Sequence, residues 1–317
     1  MLILEDLSAE VPDTNAHHWN LKEYSQVDNS GAVLMYGYNS AGNTIHQNQC
    51  QGFDRKIFFN NWAPCEFSQI RDHNKKTAIE YDAYFSEIYS ICPYTSTWLN
   101  TMGLGRIYKP IFYPFHKKII PPPQDKLYDV IYHGGIHGLE HLQCLMTMRN
   151  FNYRYVTMTH HINQTTQTCL PYATDLNLAF QDKINLVAKT KISICYNIVH
   201  ISPQHIPAIK SYERWEDNEA LCEVDHWNVK PQFKTRMHEA AISKTLNLVQ
   251  RDPWNIAERY YEPNKEFLYF SDERELESLI KEVLSDWESY QPMIDRAYHK
   301  AMNYTTDKFI EKIRNDK

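Results

Sequence analysis

The chain has 317 residues, of which 43% are hydrophobic and 23% charged, and a formal net charge of −6. That is enough apolar material for two packed domains and excludes a disordered chain. The negative balance excludes a broad nucleic-acid-binding surface. Seven cysteines, an odd number with no C-x-x-C spacing, read as reduced thiols of a cytoplasmic protein rather than a disulfide framework. Met1-Leu2-Ile3-Leu4 meets acids at once, so no signal peptide is expected there. No run approaches the roughly 18 apolar residues of a transmembrane segment.

The first strand is predicted at residues 1–4 and a helix over about 14–24. Further short apolar runs predict strands at 32–36, 56–59, 88–92 and 107–112. Residues 39–53, rich in Asn, Gln and Gly, form a loop, and Thr95 is placed to cap a helix carrying Trp98 and Leu99 that ends at Gly103. Strands alternating with helices imply a parallel α/β domain. The proline seam 121–123 then opens a second one.

That second domain begins with Val130-Ile131-Tyr132, then His133-Gly134-Gly135-Ile136-His137-Gly138, then Leu139, Leu142 and Leu145 at helical spacing. A strand, a glycine turn and a helix in this order aim backbone N–H groups and a helix dipole at one spot, which suits a phosphate or diphosphate. Strands are predicted next at 155–158 and 192–196, with a helix marked by Phe180, Ile184 and Val187 between them. Residues 203–230 read as irregular, followed by a helix from about Gln232 and strands at 245–249 and 267–270. Asp272 and Glu275 form a D-x-x-E capping signature ahead of a helix with Leu276, Ile280 and Val283 on one face. A last amphipathic helix holds Phe309, Ile310 and Ile313.

The run Arg236-Met-His-Glu239-Ala-Ala, the strand behind it, Tyr261-Glu-Pro-Asn-Lys-Glu266-Phe and Asp272-Glu-Arg-Glu-Leu276 together resemble the C-terminal half of GT-B fold glycosyltransferases, in particular the CgeB-like and group-1 families. The resemblance implies an α/β protein of GT-B type, two Rossmann-like domains facing a cleft. Residues 1–120 would be the acceptor side and 121–290 the nucleotide-sugar domain. Residues 291–317 would be helices packing back toward the first domain. It also implies a nucleotide-diphosphate sugar as donor substrate and a glycan or glycoconjugate as acceptor. Neither a cofactor nor a metal nor nucleic acid is called for. Glu239 stands where the family places a ribose-binding glutamate. Pro231 stands where its E-x7-E pattern has an earlier acid.

On this reading the donor side uses Gly134, Gly135, His137, His160, Asn197, Arg236 and Glu239. Arg236, one turn before Glu239, is placed to neutralise a diphosphate. His133, His137 and His141 are spaced by four, but the glycine turn keeps them off a common helix face, so no metal set is assigned. The acceptor side offers Asn60, Asn61, Trp62 and Tyr94, an aromatic platform with amides. Asp13, His17 and Glu66 are the candidates for a catalytic base; Glu66 could equally stabilise a helix's first turn, and Trp62 could be core. Two other activities fit the same sequence: a sugar-nucleotide epimerase of GT-B shape, and a catalytically silent sugar- or nucleotide-binding protein.

Overall fold

The computed structural model describes residues 1–6, 21–26, 31–37, 50–60, 85–91, 96, 100, 107–136, 138–159, 164–200 and 229–316. In chain order the strands are β1 (Leu2–Asp6), β2 (Ala32–Gly37), β3 (Arg55–Asn60), β4 (Glu87–Ser90), β5 (Ile107–Pro110), β6 (Tyr128–His133), β7 (Tyr153–Thr157), β8 (Asp175–Leu176), β9 (Thr190–Cys195), β10 (Ile198–His200), β11 (Val229–Pro231), β12 (Leu246–Gln250) and β13 (Leu268–Phe270). The helices are α1 (Leu139–Met148), α2 (Gln164–Cys169), α3 (Phe180–Ala188), α4 (Arg236–Ile242), α5 (Glu273–Ser285), α6 (Gln291–Ala301) and α7 (Thr306–Asn315). They fall into two compact units. One holds residues 1–116, 198–233 and 304–317, the other 117–197 and 234–303. The terminal segment 291–317 is thus shared: α6 belongs to the second unit and α7 to the first.

The first unit is built on a five-stranded sheet in the order β1-β2-β3-β4-β5, every pair parallel. Its strands are β-branched and aromatic where they are buried: Val33, Leu34, Ile57, Phe58, Phe59, Ile88 and Tyr89 are all at or near zero exposure. Each such side chain contributes roughly 1.5–3 kcal/mol of burial. Helix α7 joins this core through Phe309, whose ring meets Phe59 edge-on at 4.7 Å. β10 and β11 form a separate antiparallel pair. The predicted 14–24 helix is described only at its end, as a short 3-10 turn over Leu21–Tyr24. β5 stops at Pro110 rather than at 112, although Ile111 N still donates to Ser90 O at 2.9 Å.

The second unit holds a six-stranded, all-parallel sheet in the order β13-β12-β9-β6-β7-β8. Counted from β6, this is the doubly wound order 3-2-1-4-5-6, so the chain changes direction across the sheet between β6 and β9. Val130, Ile131, Ile192, Ile194, Leu248 and Val249 are fully buried, as strands covered on both faces must be. Val187 of α3 and Ala240 of α4 pack on Ile131 and Val156.

The D-x-x-E signature works as expected at one end. Asp272 Oδ1 accepts from Arg274 N and Glu275 N, both at 2.9 Å. Glu275 reaches back one residue further than a capping box requires, to Ser271 N at 2.7 Å. One difference from the sequence reading has a plain cause. The helix expected from Gln232 starts at Arg236, because buried Phe233 and a bond from Lys234 N to the Asn197 side chain hold the preceding residues out of the helix. Helix α6 falls within the terminal helices expected over 291–317; Pro292 lies in its first turn, where a missing N–H costs nothing, and Met293, Ile294, Ala297 and Ala301 form its buried face.

Candidate nucleotide-sugar site

In a doubly wound sheet, ligands bind beyond the carboxyl ends of the strands at the switch point. Here that point lies between His133, which ends β6, and Cys195, which ends β9. The sequence places Gly134-Gly135 after the first and Asn197 after the second.

The glycine turn is tightly fixed. Gly134 N donates to Val156 O at 2.9 Å, the Tyr132 hydroxyl donates to Gly135 O at 2.7 Å, and Ile136 N donates to Thr166 Oγ1 at 2.9 Å. Gly134 has φ +140°, a conformation few other residues adopt. A Cβ there would fall 2.5 Å from Cζ of Arg236. Glycine is therefore needed to seat the guanidinium. Helix α1 follows with Gly138 at its N-cap, which supplies no side-chain cap to the first-turn N–H groups.

Arg236 opens α4, and its guanidinium lies 5.4 Å from the Tyr132 ring centroid. Among the described residues it has no hydrogen bond or ion pair. Lys234, two residues earlier, is pushed down to about 7, first by burial and then by the nearby Arg236 charge.

Glu239 is 1% exposed. Its Oε1 accepts from Lys183 Nζ at 3.0 Å and from Thr235 Oγ1 at 3.1 Å. Oε2 lies 2.9 Å from the same Nζ and 3.3 Å from His133 Nδ1. His133 itself is buried, which pushes its imidazole down to about 3 and leaves it neutral; the Lys183 and Arg236 charges act the same way, against the Glu239 carboxylate.

Asn197 is wholly buried, its Oδ1 accepting from Lys234 N at 2.9 Å and its Nδ2 set 3.1 Å from Met237 Sδ. It fixes the backbone that presents Lys234 and Arg236. His141 is likewise buried, with its ring 3.8 Å from that of Tyr196. Among the described residues no group of three or more His, Cys, Asp or Glu is arranged to hold a metal ion.

The fold thus gathers Gly134, Gly135, Asn197, Arg236 and Glu239 in one unit. Lys183, Lys234 and His133 join them, although the sequence reading assigns them no donor role. Lys234 is open to detection in the basic K-T-R triplet ahead of Glu239, but Lys183 carries no local signal. Asn60 ends β3, though its side chain is not among those described. Asp13, His17, Asn61, Trp62, Glu66, Tyr94, His137 and His160 lie outside the described residues.

A doubly wound parallel unit with a glycine turn and a cation at its switch point, following a second parallel α/β unit, is the GT-B class of architecture. The comparisons agree. Residues 177–315 match the family model described as glycosyl transferase-like. No curated protein matches the chain. Among solved structures, HepE of Anabaena in complex with UDP-glucose is 12% identical with a TM-score of 0.59, over 89% of this chain and 77% of that one. Sucrose-phosphate synthase of Thermosynechococcus elongatus is 10% identical with a TM-score of 0.57, over 90% and 73%. A mutant TarM of S. aureus, solved with fondaparinux, alpha-GlcNAc-glycerol and UDP, is 11% identical with a TM-score of 0.54, over 89% and 55%. The protein has the GT-B fold, and its C-terminal part is glycosyl transferase-like, in keeping with the group-1 family. No helix among the described residues is long and apolar enough to cross a membrane.

Proposed function

We propose that the protein transfers a hexosyl or pentosyl group from a nucleotide-diphosphate sugar to a hydroxyl of a glycan, lipid or protein acceptor, in the cytoplasm and without a metal. One observation carries this reading: the Arg236 guanidinium, without an anionic partner among the described residues, is seated against Gly134 at the switch point of the doubly wound sheet. A diphosphate placed there meets Arg236 and the positive end of α1, while the turn's Gly134 and Ile136 N–H groups are already spent on Val156 O and Thr166 Oγ1. As the glycosidic bond breaks, negative charge grows on the leaving diphosphate. Fixed cations and dipoles stabilise it without having to reorganise. Glu239 then serves as acceptor for the ribose hydroxyls. His137 and His160 complete the donor side. The acceptor rests against Asn60, Asn61, Trp62 and Tyr94, and one of Asp13, His17 and Glu66 takes its proton.

UDP-sugars are the first donors to try, since HepE was solved with UDP-glucose and TarM with UDP. The test is a thermal-shift screen against UDP, GDP, ADP and their sugars. Product analysis with donor alone and with candidate acceptors follows. Transfer to an added acceptor supports the reading. Conversion of the donor sugar without acceptor would mean an epimerase, and binding without turnover a silent binding protein.

A further inference from the structure

The buried state of Glu239 raises a physical problem. A carboxylate this far from water stays ionised only beside a counter-charge and several donors. Among the described residues, the Thr235 hydroxyl lies at its Oε1, and the ionisable groups to weigh around it are His133, Arg236 and Lys183. His133, at the end of β6, is neutral. Arg236, on α4 itself, makes no ion pair among the described residues and lies against Gly134. Lys183, on α3, supplies the charge, its ammonium straddling both carboxylate oxygens at 3.0 and 2.9 Å. The Lys183 side chain is 22% exposed against 2% for that of Glu239, and it passes 4.5 Å from the Phe180 ring centroid. The lysine therefore bridges from the surface of α3 to a buried acid on the neighbouring helix.

We propose that Lys183 is a positioning residue: it keeps the Glu239 carboxylate ionised and fixed in orientation, so that the ribose hydroxyls of a nucleoside diphosphate meet a charged acceptor. The proposal rests on the donor-site reading above. Lys183 acts through Glu239 and touches no substrate. Thr235 Oγ1 and His133 Nδ1 fix the carboxylate's orientation further but cannot replace the charge. Without Lys183, burial drives the carboxyl group toward its protonated form, which turns a charged acceptor into a neutral group.

The experiment is calorimetric titration with whichever of UDP, GDP and ADP binds the wild type most tightly, between pH 5 and 8. It uses the wild type, Lys183→Met, Lys183→Arg, Glu239→Gln and the Lys183→Met/Glu239→Gln double variant, each checked for folding by circular dichroism. Lys183→Met is expected to weaken binding about 10-fold at pH 7 and to add a loss of affinity toward pH 5 that the wild type lacks. Lys183→Arg should restore most of the affinity and the wild-type pH profile. In the Glu239→Gln background, Lys183→Met should change affinity less than about twofold. If Glu239→Gln weakens binding but Lys183→Met does not, or weakens it equally in both backgrounds, the positioning role is wrong while the donor site stands. If Glu239→Gln binds as the wild type does, the donor-site reading falls and takes this role with it.

Discussion

The guanidinium of Arg236 occupies the space a side chain at Gly134 would need, although the two residues lie far apart in the chain. Gly134→Ala forces the arginine aside and also strains a φ of +140°, at about 1–3 kcal/mol. The displaced group is the tip of a flexible side chain, so folding should survive. Nucleotide affinity should fall about 10-fold, or about 1.4 kcal/mol. Arg236→Ala, which removes the charged donor proposed to meet the diphosphate, should cost about 1.5–3 kcal/mol of binding with little change in melting temperature. Calorimetry on both variants checks the pair; unaltered affinity in both would remove the diphosphate from this turn.

In the first unit, Arg55 holds Glu87 with two bonds, Nε to Oε1 at 2.5 Å and Nη2 to Oε2 at 2.8 Å, while Lys109 Nζ donates at 3.1 Å. The same arginine donates to Asp316 O at 2.6 Å, and the Tyr89 hydroxyl donates to Asp316 Oδ2 at 2.9 Å, tying the end of α7 to the sheet. The Arg55 bonds, foremost, lower the Glu87 carboxyl to about 2. A depressed acid stabilises the fold above its unfolded value near 4.5 and loses that contribution as pH falls toward about 2. The expected loss is on the order of 2–3 kcal/mol. Urea melts at pH 7 and pH 3 should show it in the wild type and show much less in Glu87→Gln.

Asp252 behaves in the opposite sense. It is 5% exposed, accepts from Trp254 N at 2.9 Å and Ile256 N at 3.2 Å, and burial raises it to about 6. A raised acid favours the folded state most where it is protonated, below the unfolded value of 3.8, and loses that advantage as pH rises through about 6. Asp252→Asn keeps an oxygen for both N–H groups and buries no charge. It should therefore be about 1–2 kcal/mol more stable than wild type at pH 8, with the difference vanishing near pH 4. A destabilised asparagine variant at pH 8 would show that the ionised carboxylate is needed.

On the acceptor side, Asp13→Asn, His17→Ala, Trp62→Ala and Glu66→Gln should each spare nucleotide binding. Loss of whichever residue is the base should cost about 10²–10⁴ in transfer rate. Normal transfer by all four would place the acceptor elsewhere.

On the proposed reading, in which Arg236 and the positive end of α1 stand in for a metal's charge, transfer should persist in EDTA. Activity lost on chelation and restored by Mn²⁺ would contradict this.

Much of the second unit was legible in the residues because the signals are local. Val130-Ile131-Tyr132 reads as a buried strand because β-branched and aromatic residues run together ahead of glycines and a helical repeat, and Asp272 caps α5 through bonds to residues two and three positions on. Arg236 and Glu239 were singled out by the resemblance of their run to the glycosyltransferase pattern, and the helix then sets them one turn apart. The boundary of α4 was less legible, since a buried phenylalanine and a distant asparagine decide where it begins.

What sequence alone determined, then, was the alternation of strand and helix and the glycine turn, which follow from backbone sterics and from periodicities shorter than about four residues; the acid and arginine of one helix came from the resemblance of their run to a known family. Only the tertiary structure decided that β9 lies beside β6 and so creates a switch point, that residues 198–233 and 304–317 join the first unit, and that Lys183 meets Glu239 across 56 positions. Parallel strand order and buried ion pairs depend on which distant surfaces exclude water from one another. No short stretch of residues carries that information.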